Sequence, residues 1–80
     1  MVGDPKVNVV KALHELARAG CLSEQEADRL SYFILSEVFS LLTVKHMAED
    51  LLREVQSCIA ADMVAFSRAV NLLREAVHSE

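Results

Sequence analysis

Between Arg29 and Lys45 the chain carries one charged residue, Glu37. The apolar residues of this stretch fall into two sets at helical spacing. Leu30, Phe33, Ile34, Val38 and Leu41 lie on one side of a helix, and Tyr32, Leu35, Phe39 and Leu42 form a second stripe. A helix that is apolar on two sides has to be buried on two sides. Either its own neighbours cover both stripes, or one stripe packs on the chain's core and the other on a partner. An 80-residue chain has few elements with which to enclose a central helix. Soluble proteins usually reserve an uncovered apolar patch for binding. We therefore expect Tyr32, Leu35, Phe39 and Leu42 to be a contact stripe. Burying about 500 Å² there, at about 25 cal/mol per Å², is worth on the order of 10 kcal/mol before the costs of association.

Local signals divide the rest of the chain into helices. Asp4-Pro5 reads as a start, with Asp accepting from free amides and Pro suited to the first helical position. Val9, Val10, Leu13, Leu16 and Ala17 follow at helical spacing, and Gly20 reads as the stop. Ser23-Glu24-Gln25-Glu26 has the form of a capping box. It opens a second helix expected to run from about Glu24 to Leu42, with Thr43 capping a third. Val44, Met47, Ala48, Leu51, Leu52, Val55 and Ile59 give that third helix one apolar stripe. Asp62 can cap a fourth, carrying Met63, Phe66, Val70, Leu73 and Val77. The stripe also runs on from Val55 through Ile59 and Met63, so one long helix is an alternative. A break between Ser57 and Asp62 is the favoured reading, because a single rod strands much of its apolar face. Met47 and Met63 are expected in the core.

With one Pro and two Gly, the composition suits an all-α fold in a single domain, residues 1–80. At 52% hydrophobic the chain is rich in apolar residues for its length. Self-association is a common remedy for so small a core. Cys21 and Cys58 are too few for a disulfide framework and lack zinc-ligand spacing. Read as free thiols, together with an opening segment unlike an export signal, they suggest the cytoplasm. The most apolar stretch, Leu30 to Val44, is shorter than the roughly 20 residues of a membrane span. The net charge is -4 and the basic residues are scattered. Nucleic acid is therefore disfavoured, since phosphate binding calls for a basic stripe.

No catalytic, cofactor or metal constellation stands out. His14-Glu15 lacks the second histidine of a zinc-protease motif, having Arg18 in its place. Glu75 and His78 have the spacing of a di-iron ligand pair without a second pair. His46 and Asp50 sit one turn apart on a polar face. A nucleophilic or redox role for Cys21 and Cys58 is weaker than a structural one, since small buried cysteines are common. No enzyme activity, cofactor, metal or small-molecule substrate is expected.

From Ser23 onward the order of features resembles a family of small enterobacterial regulators, the AriR/YmgB and YcgZ type. The resemblance rests on Leu22-Ser23-Glu24-Gln25-Glu26, Leu42-Thr43-Val44-Lys45, Leu51-Leu52-Arg53-Glu54-Val55 and Arg68-Ala69-Val70-Asn71-Leu72-Leu73. It implies a helical dimer linking two-component signalling to biofilm and acid-resistance programmes. The chain departs from that family in its shorter spacer before the last helix. Its acidic balance also speaks against the DNA-binding role suggested for some members.

Together these features predict an antiparallel bundle of three or four helices, completed by dimerisation. The expected role is a non-enzymatic protein–protein interaction module: a small regulator, adaptor or inhibitor that pairs with itself or with another protein. One alternative is a nucleic-acid-associated dimeric transcriptional regulator, in which Lys6, Lys11 and Arg18 converge with their symmetry mates. Another is a secretion or assembly chaperone that shields an apolar client helix.

Overall fold

The computed structural model describes residues 4–36 and 40–78. Among them are four helices, α1 (Pro5–Ala19), α2 (Glu24–Ser36), α3 (Leu41–Val55) and α4 (Met63–Val77). The fold is an all-α bundle, as expected.

The caps of α1 follow the sequence signals. Asp4 is extended and its carboxylate accepts from the Lys6 amide at 2.9 Å. Gly20 closes the helix at φ 88°, a left-handed conformation that favours glycine. There the Gly20 amide donates to the Ala17 carbonyl and the Cys21 amide to the Leu16 carbonyl. These two bonds satisfy carbonyls that the helix end leaves open. At the start of α2, the Glu26 amide donates to Ser23 Oγ at 3.1 Å. Asp62 caps α4 by accepting from the Val64 and Ala65 amides, and the break between α3 and α4 lies where the favoured reading put it.

The next boundary differs from the sequence reading. α3 opens at Leu41, and its cap is Ser40 rather than Thr43. Ser40 is extended, and its hydroxyl accepts from the Thr43 amide at 3.2 Å. Thr43 is instead the N3 residue, and its own hydroxyl bonds that of Ser40. The apolar run through Leu41-Leu42 hides this cap, because those two residues belong to the first turn of the following helix.

α1 is the central element. It packs most extensively against α4, and also against α2 and α3, while α3 packs on α4. Val9, Ala12, Leu13 and Leu16 of α1 are fully buried, joined by Ile34, Val44, Ala48, Ala69 and Leu73. Small side chains at Ala12, Ala19, Ala65, Ala69 and Ala76 are all buried, which lets helices lie close. At one end of the bundle the two loops are tied together. The Ala61 amide donates to the Ala19 carbonyl at 2.8 Å.

Cys21 and Cys58 form a disulfide across these loops, with their Cα atoms 5.8 Å apart. This corrects the expectation of free thiols. The two residues lie far apart in sequence, and only the return of α3 alongside α1 brings them together. The argument for a reducing compartment that rested on free thiols falls with it. No helix among the described residues is long and apolar enough to cross a membrane.

Two further expectations are overturned. Met63 is 61% exposed and Ile59 is 98% exposed, so neither is core. Their spacing continues the α3 stripe only if the helix continues. It stops at Val55, and the intervening loop resets the direction of every later side chain.

Candidate interaction surface

α2 approaches α1 alone among the described residues. Its buried residues, Ala27, Ser31 and Ile34, recur at intervals of four and three and so face α1. Among the described residues no other helix backbone comes as near, although Leu30 also packs against the core. Tyr32 (75% exposed) and Leu35 (61% exposed) lie on one flank of that buried line. Leu30 and Phe33 lie on the opposite flank, Leu30 partly buried against the core and Phe33 about half exposed.

The four residues expected to form one stripe are thus distributed differently. Tyr32 and Leu35 share an exposed edge of α2. Leu42 is 63% exposed but belongs to α3, where the buried Val44 and Ala48 place it on the outer face. A change of helix between Leu35 and Leu42 breaks the periodicity on which a single stripe depends. Phe39 lies outside the described residues. Phe33, assigned to the internal stripe by spacing, is half exposed because α2 has one covering neighbour where the pattern implied more. No local signal in the sequence distinguishes these cases.

The polar surroundings of α2 come from α1. Asp28 Oδ1 lies 4.0 Å from His14 Nδ1, and Ser31 Oγ lies 3.5 Å from His14 Nε2. Val7 of α1 is also exposed.

A groove of about 460 Å³ runs between α1 and α4, lined by Lys11, His14, Glu15, Arg68, Asn71, Leu72 and Glu75. Its cations alternate with carboxylates, and Arg18 lies 3.4 Å from Glu15. Lys11 and Arg18 consequently share their surface with acids rather than building a basic patch. A smaller groove of about 200 Å³ separates α2 from α3. Leu13 forms its floor, Leu30, Met47 and Leu51 its walls, and Asp50 and Glu54 its rim. Among the described residues, no group of three or more His, Cys, Asp or Glu side chains is placed to hold a metal ion. His46 is exposed on α3, and His78 ends α4 by donating its amide to the Arg74 carbonyl.

Comparison with known proteins finds no matching family model, no similar curated protein and no similar solved structure.

Proposed function

We propose that this chain is a non-enzymatic protein–protein interaction module that pairs with a second copy of itself through the exposed edge of α2. The observation that carries this reading is the isolation of α2. Its backbone comes close to that of α1 alone among the described residues, and it presents Tyr32 and Leu35 to solvent on one edge. A two-fold axis perpendicular to α2 makes such an edge self-complementary, setting Tyr32 of one copy against Leu35 of the other. Paired this way, the two copies of α2 cover each other, and the assembly becomes a larger helical bundle. The resemblance to small dimeric two-component regulators points to the same kind of role, a regulator that acts by occupying a partner's surface. The nucleic-acid alternative has no comparable support, because Lys11 and Arg18 lie among carboxylates.

The test is molar mass in solution by light scattering across a dilution series. The expected result is twice the 8.9 kDa chain mass at high concentration, falling to the single-chain mass on dilution. Leu35→Asp is expected to give a folded monomer at every concentration, since it sets a charge in the centre of the contact without touching the α1-facing residues. A parent protein that is monomeric throughout, or a Leu35→Asp variant that keeps the parent's mass, overturns the reading. The proposed contact at Tyr32 and Leu35 does not involve the Cys21–Cys58 disulfide, so the dimer is expected to persist when the same series is run with a reductant.

A further inference from the structure

The groove between α2 and α3 lies on the flank of α2 opposite Tyr32 and Leu35, and dimerisation through that edge leaves it open. Its lining is mostly apolar, with the fully buried Leu13 beside Leu30, Met47 and Leu51. Its volume of about 200 Å³ suits one or two apolar side chains rather than a whole small ligand. Both charged residues that line it, Asp50 and Glu54, are acidic. Glu26, one turn before Leu30 on α2 and exposed, adds a third carboxylate to that edge. Arg53 donates to Asp50 at 3.0 Å and offsets part of its charge, so the rim's net negative charge rests chiefly on Glu54 and Glu26.

We propose that this groove receives an amphipathic helix of another protein, one whose apolar stripe is flanked by lysine or arginine. Two walls of helix around an apolar floor match the way a helix lays its apolar face into a groove, with one or two anchor residues entering it. The acidic rim selects the flanking charge. A basic helix is drawn in and held, whereas an acidic one meets like charge at Asp50 and Glu54. Met47 supplies an unbranched, adaptable wall that accommodates anchors of different shape.

The experiment uses the full chain and three labelled synthetic helices, followed by fluorescence anisotropy. The first has a leucine stripe flanked by lysines, the second the same stripe flanked by glutamates, and the third the lysines with serine in place of leucine. The lysine–leucine helix is expected to bind one per chain, with an affinity that falls as salt rises. The other two are expected to bind at least about tenfold more weakly. Reversing the rim in an Asp50→Lys, Glu54→Lys double variant is expected to cost about tenfold. Glu49→Lys with Glu75→Lys changes the net charge equally away from the groove and is expected to cost less than about threefold. Leu35→Asp is expected to bind the helix normally. Equal binding of the three helices, absence of binding, or equal losses in the two charge-reversed variants overturns the proposal. Loss of binding in Leu35→Asp also overturns it, by making the groove part of the α2 dimer surface. A monomeric parent that still binds the lysine–leucine helix leaves this groove standing and removes only the dimer.

Discussion

Asp62 is the residue on which the division between the last two helices depends. Its carboxylate takes two amides of the first turn of α4, from Val64 at 3.0 Å and Ala65 at 3.1 Å. Without it those donors rely on water. Asp62→Ala is expected to cost about 1 kcal/mol, which in a domain of this size lowers Tm by roughly 4–8 °C in a calorimetric scan. The same removal at a non-capping acid such as Glu49 is expected to move Tm by far less, since surface substitutions away from such features usually stay within about 0.5 kcal/mol. Leu35 and Tyr32 are the contrasting case. They are large, apolar and exposed, so the folded monomer is expected to lose little when they change, and the effect of Leu35→Asp is expected to fall on the proposed association.

Among the elements, α2 is the least supported. Its buried residues are Ala27, Ser31 and Ile34, of which Ile34 alone is a large aliphatic side chain. α1, by contrast, buries Val9, Leu13 and Leu16 among its neighbours. Local opening costs least where few apolar contacts are broken. Amide hydrogen exchange is therefore expected to be fastest in α2 among the helices and slowest in the middle of α1, with α2 gaining protection as concentration rises if it is the dimer contact. The disulfide acts at the other end of the bundle, where it ties the α1–α2 connection to the segment after α3. Cys21 and Cys58 are separated by 37 positions. Closing a loop of that size restricts the unfolded chain by about 4 kcal/mol on chain-entropy grounds. Replacing both cysteines by serine is expected to lower the unfolding free energy by about 2–4 kcal/mol in urea, and adding reductant to the parent should give the same shift.

Taken whole, the molecule has a radius of gyration of 11.5 Å, close to the roughly 12 Å expected of a folded chain of this length. One copy already has a core, centred on α1. The proposed dimerisation is therefore not needed to create the core, which is why dilution is expected to yield folded monomers. The two proposals use apolar features on opposite flanks of α2, so the two contacts are expected to be separable by mutation.

The caps at Asp4, Gly20, Ser23 and Asp62 and the all-α class were legible in the sequence, which left the helix count at three or four. Each cap depends on hydrogen bonds over a few residues, from amides to a side-chain oxygen at Asp4, Ser23 and Asp62 and from amides to carbonyls at Gly20. Such interactions are local, so adjacent residues specify them. The start of α3 was misread because Ser40 competes with an unbroken apolar run, and periodicity cannot show where one helix gives way to another. The positions of Phe33, Met63 and Ile59 were not legible either. Whether an apolar side chain is buried depends on which helix stands opposite, and that is decided by the packing of distant segments. The same is true of the Cys21–Cys58 bond and of the groove whose floor is Leu13. The sequence by itself determined the all-α class and most of the helix ends, because capping and propensity act over a single turn. Only the tertiary structure decided that α1 is central and α2 peripheral, because that choice rests on the combined burial of four helices.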